Sequence, residues 1–258
     1  MNSSYIVKML AEISAIMNEN KDRLIELDSV VGDGDLGLTM TKGFAAASEF
    51  AAGSDETDAG KMLYGAGKAM SSAAPSTMGT LMSIGLMQGG KVLKGKAELS
   101  NEDVVEFLAA YENGIMTKGK AKLGEKTFLD GFDPGVQALK VAVEAGEDLA
   151  AATAKAAVAA EEGFNAATNM KAVHGKPAVK GDASIGMVDP GACVAMLIFN
   201  VLIGKNRAGR LVKLSISVAI LVIISFLLYL ALPQNIQDEF NDKMTVSFNE
   251  ISSDEDYD

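Results

Sequence analysis

The sequence predicts an all-α domain over residues 1–203, about eight antiparallel helices joined by short loops, followed by a membrane-spanning helix and an acidic tail. Three observations carry that prediction. No alternating apolar–polar run of strand length occurs between residues 1 and 203. Over the same span, apolar residues recur three and four positions apart. Beyond it, Leu214 to Leu232 is a stretch of nineteen residues without a charge.

The helices follow in order. Residues 4–19 place Ile6, Met9, Leu10, Ile13, Ile16 and Met17 at helical spacing, and Asn18 to Asn20 with the charges after them end that helix. An acidic loop follows. Thr39 to Ala52 is a short second helix stopped by Gly53–Ser54, and Asp58 to Ser72 a third with Met62, Leu63, Ala66 and Met70 on one face. Ser71 to Thr80, S-S-A-A-P-S-T-M-G-T, is a small-residue loop, and Leu81 to Leu93 a fourth helix. Ser100 with Glu102 and Asp103 starts a fifth, the acids lying near the positive end of the helix dipole, and it runs to about Thr117. Gly119 to Lys126 is a polar turn. A sixth helix begins near Asp133–Pro134, where Pro in the first turn is tolerated, and ends at Gly146. Asp148 to about Met170 is alanine-rich and helical, Ala172 to Pro190 is a long polar loop, and Gly191 to Ile203 is the eighth helix.

Composition narrows the function. Net charge is −11, which excludes a basic nucleic-acid surface, and no nucleic-acid partner is expected. The tail 233–258 holds eight acids against one lysine, so the domain itself is only mildly acidic. One cysteine, Cys193, excludes an intrachain disulfide and a cysteine metal cluster.

The chemistry gathers in Asp28 to Met40, D-S-V-V-G-D-G-D-L-G-L-T-M. Glycine costs a helix about 1 kcal/mol per residue, so Gly32 to Gly37 is expected to be a loop. Asp28, Asp33 and Asp35 repel one another unless a cation sits among them, and hard carboxylate oxygens suit Mg²⁺ or Ca²⁺. Glycines let backbone N–H groups approach anionic oxygens. Acid for metal beside glycine for phosphate suggests a metal–nucleotide site. Antiparallel order adds a geometric expectation: the loops at 28–37, 71–80, 119–127 and 175–191 all emerge at one end of the bundle.

The pattern G-D-G-D-x-G-x-x-M, with Asp28 four residues before its first glycine, resembles the L subunit of dihydroxyacetone kinase, the DhaL or DAK2 domain family. Three further segments match in order: Gly119–Lys120–Ala121 with Gly124 to Thr127, Gly175–Lys176, and Ser184–Ile185–Gly186 leading into Asp189 to Ala192. The resemblance covers about residues 1–203 and implies a closed barrel of eight helices binding nucleotide at one end. It implies that Asp28, Asp33 and Asp35 hold two Mg²⁺ ions on the phosphates of ADP or ATP. Leu36, Gly37, Leu38 and Thr39 would bring backbone donors to the phosphates, helped by Ser76 and Thr77. Gly119 and Phe128 would lie near the nucleoside, Lys176 on the phosphates in place of a usual arginine, and Asp189, Pro190 and Gly191 complete the contacts. Read singly, Asp189–Pro190–Gly191 is a common turn, Lys176 a solvent-facing lysine, Phe128 a core residue and His174 a solvated loop histidine. The loop at Ser76 is shorter than the usual glycine-rich version, and Leu36 stands where many members have His or Thr.

The resemblance further implies phosphoryl transfer to dihydroxyacetone or a related small ketose held by a partner K subunit. A chain without a fused K domain favours the branch in which bound ADP is rephosphorylated by an M-type protein of the phosphotransferase system. Two other readings stay open: a nucleotide module of a fatty-acid-kinase-like system, and a catalytically degenerate, membrane-tethered nucleotide-binding protein.

Residues 204–213 form a basic linker with Lys205, Arg207, Arg210 and Lys213. At about 1.5 Å per residue, 214–232 reaches across roughly 30 Å of hydrocarbon. The basic flank places the helical domain in the cytoplasm, anchored by this single helix, with the acidic tail 233–258 across the membrane. A buried hairpin helix or a fusion artefact is the alternative.

Overall fold

The computed structural model describes residues 1–202, and over them the chain is all-helical. Nine α-helices run in order: α1 (Ser3–Glu19), α2 (Lys21–Val31), α3 (Leu36–Ala52), α4 (Ala59–Ala73), α5 (Thr77–Val92), α6 (Asn101–Gly119), α7 (Phe128–Glu144), α8 (Leu149–Ala167) and α9 (Pro190–Leu202), with a 3₁₀ segment, Lys176–Ser184, between the last two. Among the described residues the one β feature is an isolated bridge between Asn2 and Glu98.

Local chemistry sets most boundaries. Ser76 starts α5 by accepting the Gly79 N–H at 3.1 Å, and Asp148 starts α8 by accepting the Ala151 N–H at 2.9 Å. Ser100 and Asp103 form a reciprocal capping box on α6. Thr127 and Asp130 do the same on α7, so that helix begins at Phe128 and not near Pro134 as the sequence suggested. Pro134 therefore lies inside α7.

The other departure from the expected count is α2. Its apolar signal is thin, with only Leu24 and Val31 buried among charged neighbours, and Asn18 to Asn20 reads as a helix end. Those residues are a corner between two helices: Asn20 closes α1 and opens α2. The remaining eight helices make a ring. Each packs on its neighbour from α3 through α9, α9 packs on α1, and α1 packs on α3, so the bundle closes as expected, with α2 lying against α3 and α9.

Aromatic side chains fill the ring and glycines seat them. Phe107, Tyr111, Phe128, Phe132 and Phe199 form one chain of contacts with centroids 4.9 to 6.4 Å apart. Tyr111 faces Gly85, Phe107 faces Gly89 and Phe199 faces Gly135, each at a distance that leaves no room for a Cβ. Burying each such ring contributes about 2–3 kcal/mol, which bare helix backbone makes possible here. Helices α4 and α5 touch backbone to backbone at Gly60 and Gly90.

Leu214–Leu232 and the tail lie outside the described residues. Among the described residues no helix is long and apolar enough to cross a membrane.

The α4–α5 contact is testable. A Cβ on Gly60 would run into the Gly90 carbonyl and the Lys94 amide. Overpacking typically costs about 1–3 kcal/mol, against a helix-propensity gain of about 1 kcal/mol. Gly60→Ala should therefore lower the denaturant midpoint, while Gly53→Ala, at a helix end with φ −88° and only the Glu49 carbonyl at 3.4 Å from an added Cβ, should hold or raise it. Equal midpoints for the two variants would show that the crossing is loose.

Candidate functional site

The connections after α2, α4, α6 and α8 meet at one end of the ring and enclose a cavity of about 450 Å³. Much of the lining comes from the first residues of the helices that follow: Leu36 of α3, Thr77 and Met78 of α5, Phe128 and Leu129 of α7, Pro190 and Gly191 of α9. Helix starts carry N–H groups without intrahelical partners and the positive end of the dipole. The cavity is thus suited to an anion before any side-chain charge is counted.

Acid lies on one edge. Asp28 projects from the last turn of α2, while Asp33 and Asp35 sit on the short link Gly32–Asp35. Gly34 takes φ +74° there, a conformation that costs other residues about 1 kcal/mol or more. The Asp28 carboxylate accepts the Leu36 N–H at 3.2 Å, which ties α2 to the start of α3. One oxygen from each of the three carboxylates falls within 4.8 Å of the others. Desolvation, then the charges of Asp33 and Asp28, raise the pKa of Asp35, while an ion pair with Lys176 lowers that of Asp33. Three hard oxygen donors that strain against one another match a divalent cation such as Mg²⁺.

The other walls combine small polar groups with a buried pair of charges. Ser76 caps α5, and its hydroxyl hydrogen is left to donate. The Lys126 ammonium, only 3% exposed, donates to the carbonyls of Thr168 and Met170 at 3.0 and 3.2 Å. Burial lowers its pKa and Asp189 opposes that. Asp189 caps α9 through the Ala192 N–H at 2.7 Å, yet burial pushes its own pKa up to about 7. Phe128 is almost wholly buried and stacks on Phe132 at 4.9 Å, so only its margin reaches the cavity.

Of the residues singled out in the sequence, Asp28, Asp33, Asp35, Leu36, Ser76, Thr77, Gly119, Phe128, Lys176, Asp189, Pro190 and Gly191 all line this cavity. Gly37, Leu38 and Thr39 run on into α3 instead. Gly37 packs against Lys21 and Ile25 of α2, Leu38 is exposed, and the Thr39 N–H is spent on the Asp35 carbonyl at 2.9 Å. Lys126, Thr127 and His174 also line it. The T-x-x-D capping signal at 127–130 was legible; the turn that buries Lys126, with its φ of +59°, was not. A more open groove of about 730 Å³ lies elsewhere, along α4 and α5 between Phe50, Tyr64 and four lysines. It contains no carboxylate, so it lacks the ligands for a divalent cation.

A family profile described as the DAK2 domain matches residues 30–204. The chain belongs to the DAK2 domain family. This DAK2-domain chain is similar to the PEP-dependent dihydroxyacetone kinase, ADP-binding subunit DhaL, of Escherichia coli (strain K12), at 27% identity over 202 residues, which are 78% of this chain and 96% of that protein. It is similar to the L-erythrulose 1-kinase of Mycolicibacterium smegmatis, at 31% over 191 residues, 72% of this chain but 33% of that protein. Among solved structures, the dihydroxyacetone kinase of C. freundii in complex with AMP-PNP and Mg²⁺ matches with a TM-score of 0.60 at 21% identity. That match covers 79% of this DAK2-domain chain and 34% of the other, and shows that the helical fold is shared.

Asp189 gives a signed pH dependence. Its carboxyl goes from 3.8 in the unfolded chain to about 7 in the fold, so between these values the native state holds a proton that the unfolded state has lost. Its contribution to stability therefore falls as pH rises through that window. Asp189→Asn should gain stability relative to the parent from pH 4 to pH 7 and stay level above it, measured by urea denaturation at each pH. A constant difference across the window would place the titration elsewhere.

Proposed function

We propose that the chain is the nucleotide-binding subunit of a kinase that phosphorylates dihydroxyacetone or a related small ketose. The observation that carries this reading is the set of three carboxylates within 4.8 Å of one another, on the rim of a cavity walled by helix starts. The names of its relatives support it: an ADP-binding subunit of a dihydroxyacetone kinase and a kinase for L-erythrulose, both acting on small hydroxyketones. The match runs through 96% of the ADP-binding subunit and a third of the longer kinase, which favours the subunit arrangement.

Each part of the cavity then has a role. Asp28, Asp33 and Asp35 would hold two Mg²⁺ ions, and the metal would neutralise charge on the nucleotide phosphates. Amides at the start of α5 receive phosphate oxygens, with the Ser76 hydroxyl as a further donor. Lys176, paired with Asp33 in the absence of ligand, turns to phosphate when that carboxylate is engaged. The wall of Gly119, Ile115, Leu81 and the Phe128 margin takes the nucleoside base. Phosphoryl transfer asks a protein for alignment and charge neutralisation more than covalent chemistry, and these residues supply both. The acceptor ketose is held by a K-type subunit docked over the cavity mouth, and an M-type protein returns a phosphoryl group to ADP.

Asp33→Asn and Asp35→Asn test this reading. Each removes one ligand charge from an exposed position, so the fold should persist while Mg²⁺-dependent ADP retention, measured by equilibrium dialysis of the full chain, falls at least tenfold. ADP affinity unchanged in both variants with magnesium present would overturn the metal assignment. Bound nucleotide without turnover alongside a K-type subunit and a phosphoryl donor would favour the degenerate reading.

The domain boundary is a second part of the proposal. All residues of the cavity precede Gly204, where the first compact unit ends. A chain stopped at Gly204 should keep its helical circular dichroism and its ADP affinity. Loss of either would move the boundary into the segment beyond.

A further inference from the structure

The long connection between α8 and α9 is held down more heavily than a solvated loop requires. The Glu125 carbonyl accepts the Val173 N–H at 3.2 Å, and its carboxylate meets His174 Nε2 at 2.6 Å while also accepting the Lys122 N–H at 2.7 Å. The next residue, Lys126, bonds the carbonyls of Thr168 and Met170. Ser184 takes the Ala172 N–H at 2.9 Å, and Lys171 pairs with Asp182 at 2.7 Å. Together these contacts fix His174 on the cavity lining that it shares with Lys176 and the three carboxylates.

The geometry also settles which ring nitrogen is available. His174 lowers the pKa of Glu125, so the carboxylate is ionised near neutral pH and can only accept. Nε2 must therefore carry the hydrogen between them. Nδ1 is left to meet a ligand. Of the two lysines among the described residues lining the cavity, Lys126 is spent on carbonyls, and Lys176 pairs with Asp33 until that carboxylate is engaged. His174 is the basic side chain there with an unused nitrogen.

We propose that His174, oriented by Glu125, contacts the terminal phosphate of the bound nucleotide through Nδ1–H as an imidazolium. This inference rests on the nucleotide reading above and adds a residue to it. Glu125 is the positioning residue, since it acts through the ring. No bond to phosphorus forms at His174; the contact is a charge-assisted hydrogen bond to a phosphate oxygen, and the phosphoryl group passes between nucleotide and its partners.

The chain has one histidine, so its imidazole gives a single Cε1–H resonance in a proton NMR spectrum. Saturating the full chain with Mg²⁺–ADP at fixed pH should shift that resonance, while saturation with adenosine should leave it in place. His174→Ala should weaken ADP about tenfold, the size expected for a charge-assisted hydrogen bond, and leave adenosine affinity unchanged. Glu125→Gln, which keeps the ring but loosens its anchor, should weaken ADP by a smaller factor and broaden the resonance. An unmoved resonance in a chain shown by dialysis to be saturated with ADP would overturn this proposal and leave the nucleotide reading intact. Equal losses for ADP and adenosine in His174→Ala would overturn it too, because they would mark a structural role. Failure of the parent chain to bind ADP at all would overturn both.

Discussion

In an antiparallel ring, a helix that enters at one end must leave at the other, so alternate connections are delivered to the same face. The site depends on that constraint. Asp28, Ser76, Phe128, Lys176 and Asp189 are spread over more than 160 positions of the chain, yet all line one cavity. Closure of the ring by α9 against α1 is what makes the delivery reliable. It rests in turn on glycine: Phe107, Tyr111 and Phe199 fit between helices because Gly89, Gly85 and Gly135 expose backbone to them. A bundle with larger residues at those positions would be wider and its end loops further apart.

The same constraint produces the electrostatics. Loops that converge bring helix starts with them, and the positive ends of four helix dipoles favour an anion at that end. Three carboxylates on the rim would oppose an anion by themselves. A divalent cation shared between the acids and the ligand, as proposed above, would resolve the conflict; desolvation, and after it the charges of Asp33 and Asp28, already raise the pKa of Asp35. Lys176 meets part of the same demand by pairing with Asp33.

Deeper in the cavity the balance is different. Lys126 and Asp189 are both buried, and burial moves their pKa values in opposite directions, each toward the neutral form. Backbone partners offset much of the cost: two carbonyls for Lys126 and the first turn of α9 for Asp189. These bonds also set the position of the α8–α9 connection. The residues that shape the cavity floor are therefore the ones that hold its longest loop, and a change at either would be felt at both.

Residue types and spacing alone determined the helical class, most of the helices apart from α2, the acidic loop and the convergence of four polar loops at one end, while the closed ring was implied by the family resemblance. Helical periodicity and antiparallel order are local rules, and they were enough to place Asp28, Asp33 and Asp35 beside Lys176 and Asp189. The sequence did not reveal α2, whose buried face is only Leu24 and Val31, or the early start of α7 ahead of Pro134, because a weak stripe and an internal proline both read locally as helix breaks. Only the tertiary structure turned Gly37 into α3, buried Lys126 and joined His174 to Glu125. Each of those depends on a neighbour far away in the chain, across α2, α8 or the loop after it, and no local pattern encodes such a contact.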